Sequence, residues 1–161
     1  MVYRYTHNSD LSLYDKSPST TNCGSYALRL NEWYHLDRHF HDLMGETLED
    51  WIIAKTKVGY SEYEITYFYE VILIKGLLLD FEGELEVCDG TPPETDDMEL
   101  IAFNAFCYCI DSEFADADFH FKVFREGQWK EKCGKCQVRE CDKEHWGSYI
   151  GDPFYFYHKI G

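Results

Sequence analysis

The chain has 161 residues, 45% hydrophobic and 17% aromatic, which is the length of one ordinary domain and too rich in aromatics for a disordered one. Its net charge of -15, from 30 acids against 15 bases, excludes a cationic surface for nucleic acid or anionic membrane. Seven cysteines, an odd number, do not read as a paired secreted framework. The first ten residues lack the apolar stretch of a signal peptide, and no apolar run reaches 18 residues. The expectation is a single domain over residues 1–161, in a reducing cytoplasm, with no membrane segment.

Residues 1–21 are polar and turn-rich and read as an irregular arm. Thr21-Asn22 are capping residues, and Tyr26, Ala27, Leu30, Trp33 and Tyr34 follow at helical spacing. A second helix is expected over Leu43 to Lys57, closed by Gly59. Ser61 with Glu64 is a capping box, and the helix it starts should run to about Lys75-Gly76. The Gly- and Pro-rich stretch from Cys88 is a loop. Beyond it, Leu100 to Ile110 reads as a buried strand. Asp118 to Arg125 alternates, with Phe119, Phe121 and Val123 opposite His120, Lys122 and Phe124. Glu126-Gly127 is a hairpin turn, Gln128 to Lys132 the return strand, and the aromatic run after Pro153 a closing strand. Helices first and antiparallel strands after make an α+β fold.

Cys23 falls at the start of the first helix. Free N–H groups there stabilise thiolate over thiol and can serve a tetrahedral oxyanion. Such a nucleophile needs a base from elsewhere in the fold, and His120 on its strand is the candidate. Asp152, before Pro153, is the candidate to orient the imidazole, with Asp142 behind it. The plain alternatives are a buried cysteine packing as a small hydrophobe and a structural strand histidine.

These segments, in order, resemble a group of papain-like cysteine peptidases from microbial and viral (phage-type) genomes. The resemblance rests on Asn22-Cys23-Gly24-Ser25-Tyr26-Ala27-Leu28, Pro92-Pro93, Leu100-Ile101-Ala102 and Phe119-His120-Phe121 with Arg125. It continues through Gly127, Trp129, Lys132 and Gly134 to Asp152-Pro153. The chain departs from that pattern on either side of Lys132, with Glu131 where the pattern favours His and Cys133 where it favours Pro. The resemblance implies a papain-like fold, with the nucleophile helix first and the helices packed on a C-terminal antiparallel sheet. It also implies a cysteine hydrolase cleaving an amide, peptide or isopeptide bond through Cys23, His120 and Asp152. Asn22, Gly24 and Trp129 are then expected at the oxyanion and substrate, no cofactor or metal is needed, and the substrate is a protein or peptide.

Two other readings stand beside it. Cys133, Cys136, Cys141 and His145 have zinc-like spacing, whereas His35, His39 and His41 read as a solvated helix end. Cys107 and Cys109, two apart on a strand, read as core packing. The acidic stretches Glu94 to Glu99 and Asp111 to Asp118 read as solvated loops. The alternative function is a non-enzymatic acidic inhibitor, or nucleic-acid mimic, that meets a protein partner through its acidic surface.

Overall fold

The computed structural model describes residues 20–90, 92–95, 98–109, 115–147, 149 and 152–159, without the side chains of 108 and 109. Four α-helices precede a six-stranded antiparallel sheet among these residues, so the fold is α+β.

Asn22 caps the first helix, α1 (Cys23–Leu28). Its Oδ1 accepts from the Ser25 N–H at 3.0 Å, and the Ser25 hydroxyl accepts from the Asn22 N–H at 3.2 Å. That is a reciprocal capping box with Ser in the place usually held by Glu. Helical spacing runs on to Tyr34, yet α1 stops at Arg29, which takes a left-handed φ of 58°. The cause is the same asparagine: its Nδ2 donates to the Tyr34 carbonyl at 2.9 Å and its Oδ1 accepts from the Tyr34 N–H at 3.2 Å. The chain is therefore folded back across the cap.

The single helix expected over Leu43 to Lys57 is two helices, α2 (Arg38–Met44) and α3 (Leu48–Val58). Gly45 closes the first at φ 70°, and the Thr47 hydroxyl opens the second by accepting from the Asp50 N–H at 3.2 Å. The Ser61–Glu64 box forms as expected and starts α4 (Glu62–Asp80), which passes Gly76 without a break.

The strands are β1 (Leu85–Val87), β2 (Glu99–Cys109), β3 (Ala115–Arg125), β4 (Gln128–Lys132), β5 (Val138–Glu140) and β6 (Phe154–His158), in sheet order β1-β6-β2-β3-β4-β5. Glu126 and Gly127, at φ 57° and 74°, form the two-residue turn joining β3 to β4. That turn sets Arg125 opposite Gln128 and Lys122 opposite Glu131.

The chain divides into two compact units. One comprises residues up to Tyr34, Asp80–Asn104 and those from His120 onward. Its core includes Leu28, Leu30, Tyr34, Phe81, Phe103, Phe121 and Phe156. The Phe103 and Phe121 rings lie 4.9 Å apart, and Tyr34 meets Phe81 edge-on at 5.7 Å. Each such side chain contributes roughly 1.5–3 kcal/mol by leaving water. Glu99 is buried here, against the expectation of a solvated loop. Arg29 and Arg125 both chelate its carboxylate, and Arg125 also lies over the Tyr26 ring at 4.6 Å and donates to the Ala27 carbonyl. This buried cluster ties α1 to β2 and β3, and so fixes where Cys23 sits.

The other unit comprises His35–Leu79 and Ala105–Phe119. Phe40 packs against Trp51 at 5.1 Å and Tyr69 at 6.1 Å. His39 is buried rather than solvated: its ring fills the space where a Cβ on Gly76 would stand. His35 and His41 are exposed as expected. Thr66 brackets Cys107 of β2, its hydroxyl accepting from the Cys107 N–H at 3.0 Å and donating to its carbonyl. Cys107 is buried, in keeping with core packing, whereas the side chain of residue 109 lies outside the described set. No helix among the described residues is long and apolar enough to cross a membrane.

Candidate active site

Cys23, His120 and Glu131 all belong to the first unit, and the capping box and the β3–β4 hairpin bring them together. Cys23 is the first residue of α1 and is 7% exposed. Its thiol neighbours the His120 imidazole and helps to raise the imidazole pKa. The other side of the imidazole is held by Glu131, with Nε2 and Oε1 2.8 Å apart. With Nε2 committed to the carboxylate, Nδ1 is the nitrogen that can exchange a proton with the thiol. Arg139 donates to the second Glu131 oxygen at 2.9 Å and to the Cys133 sulfur at 3.2 Å.

Electrostatics couple these groups. Burial pushes the His120 imidazole down, but the hydrogen bonds and charges of Cys23 and Glu131 together outweigh it and hold it up at about 9. The His120 hydrogen bond draws the Glu131 carboxyl down to about 2, against its burial and with help from Arg139. At neutral pH His120 and Glu131 are therefore an ion pair, both largely shielded from water.

Aromatic rings and buried lysines surround the pair. Trp146 meets the His120 ring edge-on at 6.0 Å, and Tyr149 lies 6.2 Å from it. Lys122 anchors that segment by donating to the Asp142 and His145 carbonyls and lying 4.4 Å over the Trp146 ring. Lys132, fully buried on β4, donates to the carbonyls of Thr21 and Gly134, which pins the entry to α1 against the hairpin. Burial lowers the Lys132 pKa, while Cys136, Cys23 and Cys133 oppose the shift through charge.

Several expected roles change. Asn22 takes a structural part: its Oδ1 accepts from the Ser25 and Tyr34 N–H groups, and one of its two Nδ2 hydrogens is donated to the Tyr34 carbonyl. Gly24 is buried and opens no room for substrate: a Cβ there would fall 2.8 Å from Cδ2 of Tyr34, so glycine is required by packing. Trp129 is a core residue, clustered with Leu100, Ala102 and Tyr155, its Nε1 donating to Glu94 at 2.8 Å. Asp152 is exposed, and the carboxylate on His120 is Glu131 instead. Asp142 turns its carboxylate to the Glu144 N–H.

Cys133, Cys136, Cys141 and His145 do not gather as a metal cluster among the described residues. The one group of three liganding side chains there is His120, Glu131 and Cys133. In the sequence Glu131 stands out only as a departure from the pattern of the family that the chain resembles. The signal that finds it is the hairpin register: a two-residue turn at Glu126-Gly127 puts Glu131 opposite Lys122, one diagonal step from His120 on the same face. No family model, curated protein or solved structure matches the chain.

Proposed function

We propose that the protein is a cysteine hydrolase of papain-like type that cleaves an amide or isopeptide bond. The observation that carries this reading is the series Cys23, His120, Glu131, in which a nucleophile, a base and an orienting acid stand in order, the thiol acting on the imidazole and the imidazole hydrogen-bonded to the carboxylate. His120, protonated in its pair with Glu131, holds the proton drawn from the Cys23 thiol, and the sulfur attacks the carbonyl carbon. The C=O π electrons move onto oxygen, and the backbone N–H of Cys23, at the open first turn of α1, receives that charge. As the C–N bond breaks, His120 returns the proton to the leaving amine. A water deprotonated by His120 then hydrolyses the thioester and frees Cys23. Throughout, Glu131 fixes the ring orientation and balances the imidazolium, the part that Asp152 was expected to play.

The test uses iodoacetamide at neutral pH with mass-spectrometric location of the label. Cys23, though buried, should label about ten-fold faster than the exposed Cys136, because a free thiol is only a few per cent thiolate at that pH. His120→Ala should remove that advantage, and Glu131→Gln should reduce it. Equal labelling of Cys23 in the parent and His120→Ala proteins would sink the reading.

A further inference from the structure

We infer that His120, Glu131 and Cys133 form a zinc site that competes with the hydrolytic use of His120. Their ligand atoms, one nitrogen, one carboxylate oxygen and one sulfur, all lie within 4.8 Å of one another. His120 Nε2 and Glu131 Oε1 are already 2.8 Å apart. A tetrahedral zinc with Zn–S of about 2.3 Å and Zn–N of about 2.0 Å needs ligand edges of roughly 3.2–3.6 Å, so side-chain adjustments alone close the site. His120 and Glu131 come from the paired strands β3 and β4, and Cys133 follows directly on β4. Two of them, Glu131 and Cys133, alternate on one face of the chain leaving β4, and β3 supplies the third. Nitrogen, oxygen and thiolate sulfur together suit zinc better than calcium or magnesium, which take oxygen alone.

A second observation points the same way. Arg139 already places a cation on two of the three ligands, at 2.9 Å from Glu131 and 3.2 Å from Cys133. Its own side chain is 65% exposed, so it can swing into solvent at little cost as a metal enters. Three protein ligands leave one position for water. Metal on the His120 nitrogen and the Glu131 carboxylate removes the ion pair on which, under the hydrolase reading, Cys23 depends. Zinc-loaded protein is then the inactive form. This consequence rests on that reading; the binding site does not.

The experiment titrates zinc ion alone into the reduced full-length chain against a chromophoric chelator. One zinc per chain is expected. Cys133→Ser and Glu131→Gln should each weaken it by at least about ten-fold, the loss seen even for outer-shell partners. Cys136→Ser and Cys141→Ser should leave it unchanged. Arg139→Ala should tighten it, a gain that misfolding cannot produce. Cobalt in place of zinc should show a thiolate charge-transfer band that Cys133→Ser abolishes. No stoichiometric binding, or binding lost with Cys141→Ser and kept with Cys133→Ser, overturns the site. In a separate arm, zinc should slow Cys23 alkylation and a chelator should restore it. Slow labelling without any zinc fails the hydrolase reading and leaves the metal site standing, whereas bound zinc with undiminished labelling refutes the competition.

Discussion

Asn22 carries more of this site than its neighbour in sequence suggests. One amide closes the first turn of α1 through Ser25, and by holding both backbone groups of Tyr34 it ends the same helix six residues later. Replacing it with alanine removes a cap, about 1 kcal/mol. It also strands buried backbone groups at roughly 1–3 kcal/mol. Asn22→Ala should therefore lose about 2–4 kcal/mol in urea unfolding, with an unchanged m-value. Asn22→Asp keeps the acceptor but loses the donor to the Tyr34 carbonyl, so it should fall between the two. A loss under 1 kcal/mol for alanine would mean that water takes over the amide's partners. The cap and the cysteine after it were legible in the sequence because capping is local. The choice of Glu131 over Asp152 was not, because it depends on which residue of β4 faces which of β3. Only the turn at Glu126-Gly127 contains that information, and it has to be counted out residue by residue.

At the scale of elements, Gly76 shows how a helix position is decided by its neighbour. In an isolated helix alanine beats glycine by about 1 kcal/mol. Here the added Cβ would lie 2.4 Å from Cγ of His39, 2.5 Å from its Cδ2 and 2.6 Å from its Cβ, so the ring's root must move. Overpacking of this kind costs about 1–3 kcal/mol, and Gly76→Ala should destabilise the protein despite the better propensity. The check is a double-mutant cycle: in a His39→Ala background the same change should become neutral or favourable. The elements that the sequence pattern captured are those with strong local punctuation: the Ser61 box, the Glu126-Gly127 turn and the alternation through β3. Gly45 and Thr47, which split the second helix, are equally local signals, but the apolar spacing across them masked the break. The edge strands β1 and β5 are three residues each, too short for alternation to register, and they exist because β6 and β4 offer them a ladder. Glu99 departs from the expected solvated loop for a related reason. It stands next to an acidic loop in sequence, but its strand carries it between two arginines.

For the molecule as a whole, 30 acids against 15 bases make stability a matter of pH and salt. Two contributions run in the same direction. Surface self-repulsion grows as carboxyls ionise, and salt screens it. Glu70 of α4 adds a second one that salt barely reaches. It is 6% exposed, and burial raises it from its ordinary 4.5 to about 7, against a hydrogen bond from the Ala105 backbone. The buried Cys107 thiol is pushed up by its own burial and by the Glu70 charge. Between pH 4.5 and 7 the native state keeps a proton that the unfolded chain has lost. Stability therefore falls as pH rises through that window and levels off above it. At 1.36 kcal/mol per unit, the fall is at most about 3 kcal/mol. Glu70→Gln keeps the shape and hydrogen-bonding capacity without the charge. Its advantage over the parent should be near zero at pH 4.5, grow to pH 7 and then hold constant. Unfolding measured at low and high salt separates the contributions: salt should flatten the curve shared by both proteins while leaving the gap between them. A gap that closes in salt would place the Glu70 carboxylate in contact with water.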